Sequence, residues 1–149
     1  MTESMLYVMP AFRKPTPSRS ENMRAVRSVG NATTEMRLSA ILAASRIRGW
    51  CVRPRGIVGS PDFVFPTAGL VVFVDGCFWH GCQKCGHIPK TNKAYWHAKI
   101  ARNQARDTKI TRTLRRSGFH VIRLRECDLK SRPNVCIGRI RRALYKSST

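Results

Sequence analysis

The sequence predicts an α/β domain in which a mixed sheet is flanked by helices. Three observations carry that reading. Hydrophobic periodicity switches between helical and strand spacing in the order αβββαβα. Leu70-Val71-Val72-Phe73-Val74 is apolar throughout, as expected of a central strand covered on both faces. A cysteine-rich segment, Phe73 to Cys85, interrupts the order between a strand and a long helix, as a metal-binding loop would.

The elements follow in turn. Residues 1–20 hold Pro10, Pro15, Pro17 and scattered charge, and read as a flexible basic arm. Residues 21–149 form one domain. Residues 21–30 suit a short helix. Residues 33–48 place Leu38, Ile41, Leu42 and Ser45 at helical spacing, with Thr33 or Thr34 as cap, Glu35 in the first turn and Gly49 as the stop. Strands are expected at about 50–54, 61–65 and 70–75, the last two joined by a turn at Pro66-Thr67-Ala68-Gly69. Residues 76–91 form the cysteine loop. A helix runs from about 92 to 117, with Trp96, Ile100, Ile110 and Leu114 inward and Gly118 as its stop. Residues 119–124 make a fourth strand. Pro133 opens a last helix, with Ile137, Ile140 and Leu144 on one stripe.

Composition points to the partner. The chain carries 28 Lys+Arg against 8 Asp+Glu, a net charge of +20 in 149 residues. Such a surface attracts a polyanion, and nucleic acid is the polyanion whose phosphates it would neutralise. No apolar run reaches the roughly 18 residues that span a bilayer, and the N-terminus lacks a signal-peptide core. A cytoplasmic, nucleoid-associated protein is expected.

Six cysteines are present. Without a secretory signal, the Cys77-x4-Cys82-x2-Cys85 spacing favours metal ligation over disulfides. Zinc takes four tetrahedral ligands, and Cys77, Cys82, Cys85 and Cys127 supply four thiolates. His80 and His87 compete for a place in that set. Cys51 and Cys136 read as small buried apolar residues.

Acids are scarce, so those beside motifs stand out. Asp62 begins an apolar strand, and Val74-Asp75 ends the next one across a hairpin. One such carboxylate plus a backbone carbonyl is enough protein for magnesium, which keeps most of its waters. His80, five residues beyond Asp75, can take a proton from water. The layout resembles that of the PD-(D/E)xK nucleases, although Asp75-Gly76-Cys77 replaces their lysine. Each residue also has a plainer reading. Phe78 and Trp79 suit a core, His80 an ordinary hydrogen-bonded histidine, Asp107 a solvated helix face, and Met23 and Val26 a packing stripe.

Five segments occur in one order: Asn22-Met23-Arg24-Ala25-Val26-Arg27, Pro61-Asp62-Phe63, Val72 through Cys82, Lys99-Ile100-Ala101-Arg102-Asn103 with Arg106-Asp107, and Glu126-Cys127. Together they resemble the very short patch repair (Vsr) DNA mismatch endonucleases, over about residues 19–130. The resemblance implies a restriction-endonuclease-like fold, a structural zinc, and magnesium-dependent nicking of one strand of double-stranded DNA at T:G mismatches, with mismatch-repair proteins as further partners. It assigns Asp62 and the Val74 carbonyl to magnesium, His80 to catalysis, and Asp107 and Glu35 to bound waters or to orienting the histidine. It makes Phe78 and Trp79 wedges in the DNA stack, with Met23 and Val26 entering from the other groove. Cys77, Cys82, Cys85 and Cys127 match the zinc ligands. Asp75 stands where the best-known members carry a second catalytic histidine. It can ligate metal or orient water, but it cannot donate as an imidazolium. Two further readings stay open: a homing, phage or restriction-associated nuclease with another target, and a zinc module that binds DNA without cutting it.

Overall fold

The computed structural model describes residues 32–148. The basic arm at 1–20, the helix expected at 21–30, and Met23 and Val26 with it, lie outside the described residues. The elements are α1 (Ala32–Ala44), β1 (Cys51–Val52), β2 (Phe63–Phe65), β3 (Leu70–Asp75), α2 (Lys93–Arg116), β4 (His120–Arg125), α3 (Glu126–Ser131) and α4 (Pro133–Lys146).

Four strands form one sheet in the order β1-β2-β3-β4. The first three are antiparallel neighbours, and β4 joins β3 in parallel, pairing Val72 with Ile122 and Asp75 with Arg125. A parallel pair needs a long crossover, and α2 provides it. The sheet is therefore mixed, as the element order predicts. β3 is the central strand, paired on both sides, and Leu70 through Phe73 are buried. One face of the sheet carries the larger core: Leu38 and Leu42 of α1 and Ile137 and Ile140 of α4 pack on Phe63, Leu70, Val72 and Leu124. On the other face Leu114 of α2 meets Val64, Val71 and Phe73, with Ile110 packed alongside. Alternate residues of β2 and β3 thus serve opposite cores, as the pleat requires.

Four expectations need correction. α1 already runs at Ala32, so Thr33 and Thr34 lie within it and do not cap it. It ends at Ala44, well before Gly49. Arg46 takes a left-handed φ of 56°, its N–H bonds Ala43 O, and Ile47 N–H reaches back to Leu42 O. That is a Schellman ending in which buried Ile47 covers Leu42, with arginine in the place glycine usually holds. Cys51 is exposed, because β1 is a two-residue edge strand with neither face covered. A short helix, α3, follows β4 directly and had no separate place in the expected order.

Two glycines set the geometry around the site. Gly59 has φ +80°, and a Cβ there would sit 2.3 Å from Ile110 Cγ2, so only glycine lets the segment before Asp62 rest on α2. Gly81 has φ +62°, and a Cβ would meet Ile100 Cγ2 at 2.7 Å and Gln104 Nε2 at 2.8 Å. The loop beyond His80 therefore lies directly on α2. Among the described residues, no helix is long and apolar enough to cross a membrane.

Candidate functional site

The strand ends β2 and β3, the cysteine loop and the middle of α2 converge on one cleft. Its cavity, about 260 Å³, is lined by Asp62, Val74, Asp75, His80, Asp107 and Arg123, among others. Asp62 enters at the start of β2 and is 8% exposed. Val74 N–H donates to its Oδ2 at 2.7 Å, which fixes the carboxylate against the neighbouring strand. Burial pushes the Asp62 carboxyl up to about 6, the Val74 N–H opposes that rise, and the nearby charges of Glu35 and Asp75 add to it. A buried carboxylate crowded by two others is a place where a cation relieves repulsion. An all-oxygen donor set suits a hard divalent ion.

His80 is held from two sides. Its Nδ1 contacts Asp107 Oδ2 of α2, and its Nε2 lies 3.8 Å from Asp75 Oδ1. The tautomer with its hydrogen on Nδ1 donates to Asp107 and presents Nε2 toward Asp75 and the cleft. The loop that carries His80 is pinned to α2 by backbone contacts. Asn103 Nδ2 donates to Trp79 O at 3.0 Å, and Gln104 Nε2 donates to His80 O at 3.1 Å. Asp107 is thus no solvated helix residue; its side chain is 15% exposed.

Asp75 faces Arg123 as well as His80. Arg123 Nη1 donates to Asp75 Oδ1 at 2.8 Å, its Nε donates to Thr111 Oγ1 at 2.9 Å, and its guanidinium carbon lies 4.2 Å from the centre of the Phe73 ring. Its Nη2 lies 3.8 Å from Asp107 Oδ1. Burial pushes the Asp75 carboxyl up, against the pull of His80 and Arg123. Sequence reasoning missed Arg123. In a chain with 28 cationic side chains, nothing marked this one, and only the β3-β4 pairing brings it to Asp75. Glu35 does not line the cleft; it is 9% exposed, near enough for its charge to act on Asp62, with Arg53 Nε at 2.8 Å from its Oε1. The contact is an ion pair without hydrogen-bond alignment, since Oε1 makes no hydrogen bond.

The thiols gather beside this cleft. The ligand atoms of Cys77, Cys82, Cys85 and Cys127 all lie within 4.8 Å of one another. Cys82 and Cys127 are 3.7 Å apart, and Cys82 and Cys85 are 3.8 Å apart. A zinc tetrahedron with Zn–S near 2.3 Å has S–S edges of about 3.8 Å. Burial raises the Cys82 thiol, but N–H donors from Cys85 and Lys84 outweigh it and bring it down to about 6. His87 is not in the group, and His80 joins Asp75 and Asp107 in the other one. Asp128 fastens the loop to α3 next to Cys127, taking Lys84 Nζ at 3.1 Å and Arg132 Nη2 at 2.6 Å. Phe78 and Trp79 are half-buried and pack edge-to-face, with centroids 5.1 Å apart, and both reach Trp96. The Trp79 indole N–H is buried without a partner.

A histidine between two carboxylates, beside a buried aspartate in one cleft, is a set that can take a proton from water. On a chain of net charge +20, the substrate it suits is a phosphodiester. The family model of the DNA mismatch endonuclease Vsr matches residues 13–86. The chain is 46% identical to Type II nicking enzyme V.NmeAIP of Neisseria meningitidis over 57% of its length and 61% of that relative's. It is 37% identical to Type II nicking enzyme V.NaeI of Lentzea aerocolonigenes, over 72% of this chain and 67% of that one. Identity to the DNA mismatch endonuclease Vsr of Escherichia coli is 34%, over 79% of this chain and 75% of that one. The chain belongs to the Vsr family of DNA mismatch endonucleases.

Proposed function

We propose that this protein is a magnesium-dependent endonuclease that nicks one strand of duplex DNA at T:G mismatches. The observation that carries the reading is His80, held between Asp107 and Asp75 in the cleft that also contains buried Asp62. Asp62 and the Val74 carbonyl are the proposed holders of the divalent ion. When bound there, the ion supplies positive charge against the charge that develops at phosphorus. His80 takes a proton from the attacking water at Nε2. Asp107 keeps the ring oriented and its Nδ1–H engaged, and stabilises the imidazolium that results. Glu35 orients water at the opposite side. Arg123 occupies Asp75, so Asp75 orients His80 and water in preference to binding metal.

Phe78 and Trp79 are proposed as the wedge that enters the stack. Unstacking a base step costs a few kcal/mol and costs least at a mismatch, so a wedge favours mismatched sites. The unpartnered indole N–H of Trp79 supports a residue kept for more than packing, because a buried orphan donor weakens the fold. Met23 and Val26 are proposed to enter from the other groove. The four thiolates are proposed to hold a structural zinc that fixes the His80 loop, in a restriction-endonuclease-like fold. Nicking in place of double-strand cutting is supported by the names of the Neisseria and Lentzea relatives, and a mismatch target by the name of the Escherichia relative.

The test is cleavage of a panel of end-labelled duplexes, matched and mismatched, with and without magnesium. One labelled strand should be cut, at T:G, only with the metal. Equal cutting of matched duplexes would move the target elsewhere within the family. Binding without cutting would leave a zinc module that only holds DNA.

A further inference from the structure

A second hollow, about 620 Å³ and larger than the cleft, opens along the last turns of α2. Thr108, Thr111, Arg112, Arg115 and Arg116 of α2 line it. It shares Asp107 and Arg123 with the cleft, so the two cavities have a common wall. Four arginines and one carboxylate therefore line the hollow, and that carboxylate already contacts His80.

A plain reading covers part of this. Arg115 and Arg116 lie in the last turn of α2, where cations complement the helix dipole. It does not account for Arg112, a turn earlier, or for Arg123, which reaches the same hollow from β4. Among the described residues, Arg112, Arg115 and Arg116 make no ion pair or side-chain hydrogen bond, whereas Arg53, Lys84, Arg123 and Arg132 are each paired with an acid. Thr111 Oγ1 accepts from Arg123 Nε, so its own hydrogen remains available to an acceptor in the hollow. Guanidinium forks and a hydroxyl are phosphate-binding groups.

We propose that this hollow is a second phosphate subsite, taking a DNA backbone phosphate beside the one held in the cleft. The proposal rests on the reading of the cleft as the place where the phosphodiester is cut. Arg123 and Asp107 form the step between the two positions, so a strand lying in both passes over the pair that orients His80. The subsite adds affinity and register without reading sequence.

The experiment measures binding of the full chain to a T:G duplex, without magnesium, across a range of salt. The variants are Arg112→Gln with Arg116→Gln, against a control of equal charge, Arg46→Gln with Arg142→Gln. Arg142 belongs to α4, on the opposite face of the sheet, and Arg46 follows α1 on that face. Each phosphate that is no longer neutralised lowers the salt slope by about 0.9. The hollow pair should lower the slope by about one and weaken binding about tenfold at physiological salt, while the control moves the slope by far less. Equal losses from the two pairs would reduce the effect to net charge and overturn the subsite, as would no loss from either. Low-millimolar inorganic phosphate that erases the difference between the pairs would make the hollow a free-phosphate site and overturn the DNA assignment. Nicking by the wild type is scored separately. Nicking without a difference between the pairs sinks the subsite alone, and a difference without nicking sinks the reading of the cleft alone.

Discussion

Two groups of ligand-type side chains sit side by side, and one short loop feeds both. The thiol group is closed: its four sulfur atoms approach the edges of a single tetrahedron. The carboxylate-histidine group is open: Asp62, Asp75, His80 and Asp107 border a cavity of about 260 Å³. A closed set of soft ligands can hold an ion but offers no position for a reactant, whereas an open set of hard ligands leaves room for water and substrate. His80 lies between Cys77 and Cys82 in the chain, so the closed group sets where the open group's histidine, the proposed base, stands.

That dependence is tested most severely at Cys82, the buried member of the thiol group. Cys82→Ser should lose the proposed zinc and release the His80 loop, removing both a large part of the melting temperature and all nicking. Elemental analysis and a thermal melt check this together. Retained nicking with no bound metal would separate the two groups. Cys51→Ser, at an exposed edge, should leave zinc content and melting unchanged.

His80→Ala acts within the open group alone. The nicking rate should fall by roughly two to four orders of magnitude, the usual worth of a general base, while the zinc proposed for the thiol group is retained as in wild type. Single-turnover kinetics with metal analysis reads both. Glu35→Gln and Asp107→Asn should lose less, since they act through water or through the histidine.

A smaller effect has the opposite sign. Asp62 has its carboxyl raised from 3.8 to about 6, mainly by burial. A folded-state value above the unfolded one makes stability fall as pH rises from about 4 to about 6 and stay lower beyond. Asp62→Asn keeps an acceptor for the Val74 N–H and removes that penalty. In chelator at neutral pH the variant should be more stable than wild type, by on the order of 2 kcal/mol, with the gain vanishing near pH ~4. Parallel denaturant melts across that range test it. A variant less stable at every pH would contradict the origin of the shift.

The two helix ends show what the sequence could and could not disclose. α2 stops where Gly118 takes φ +92°, with Phe119 N–H reaching Leu114 O, and the glycine announces the stop. α1 stops by the same bonding pattern with Arg46, a residue that carries no such signal, so Gly49 drew the boundary too late. The site divides in the same way. Cys77, Cys82, Cys85 and His80 are close in sequence, and their spacing exposes them. Asp62 and Asp75 sit at the ends of recognisable strands. Arg123 is ordinary in sequence and gains a role only when β4 folds beside β3, while Asn103, legible as part of a motif, shows its contact with the loop only once α2 is in place. The hollow beyond Arg123 was illegible for the same reason.

Everything proposed for the open group depends on Asp62 anchoring the ion that the cleft needs for cutting. Nicking of a T:G duplex by wild type and Asp62→Asn across a magnesium titration, with DNA binding measured in parallel, bears on this without intermediaries. Wild type should nick in proportion to bound metal, Asp62→Asn should not nick at any magnesium concentration, and the two should bind DNA with nearly equal affinity. Undiminished nicking by purified Asp62→Asn would contradict the assignment of the metal to this carboxylate.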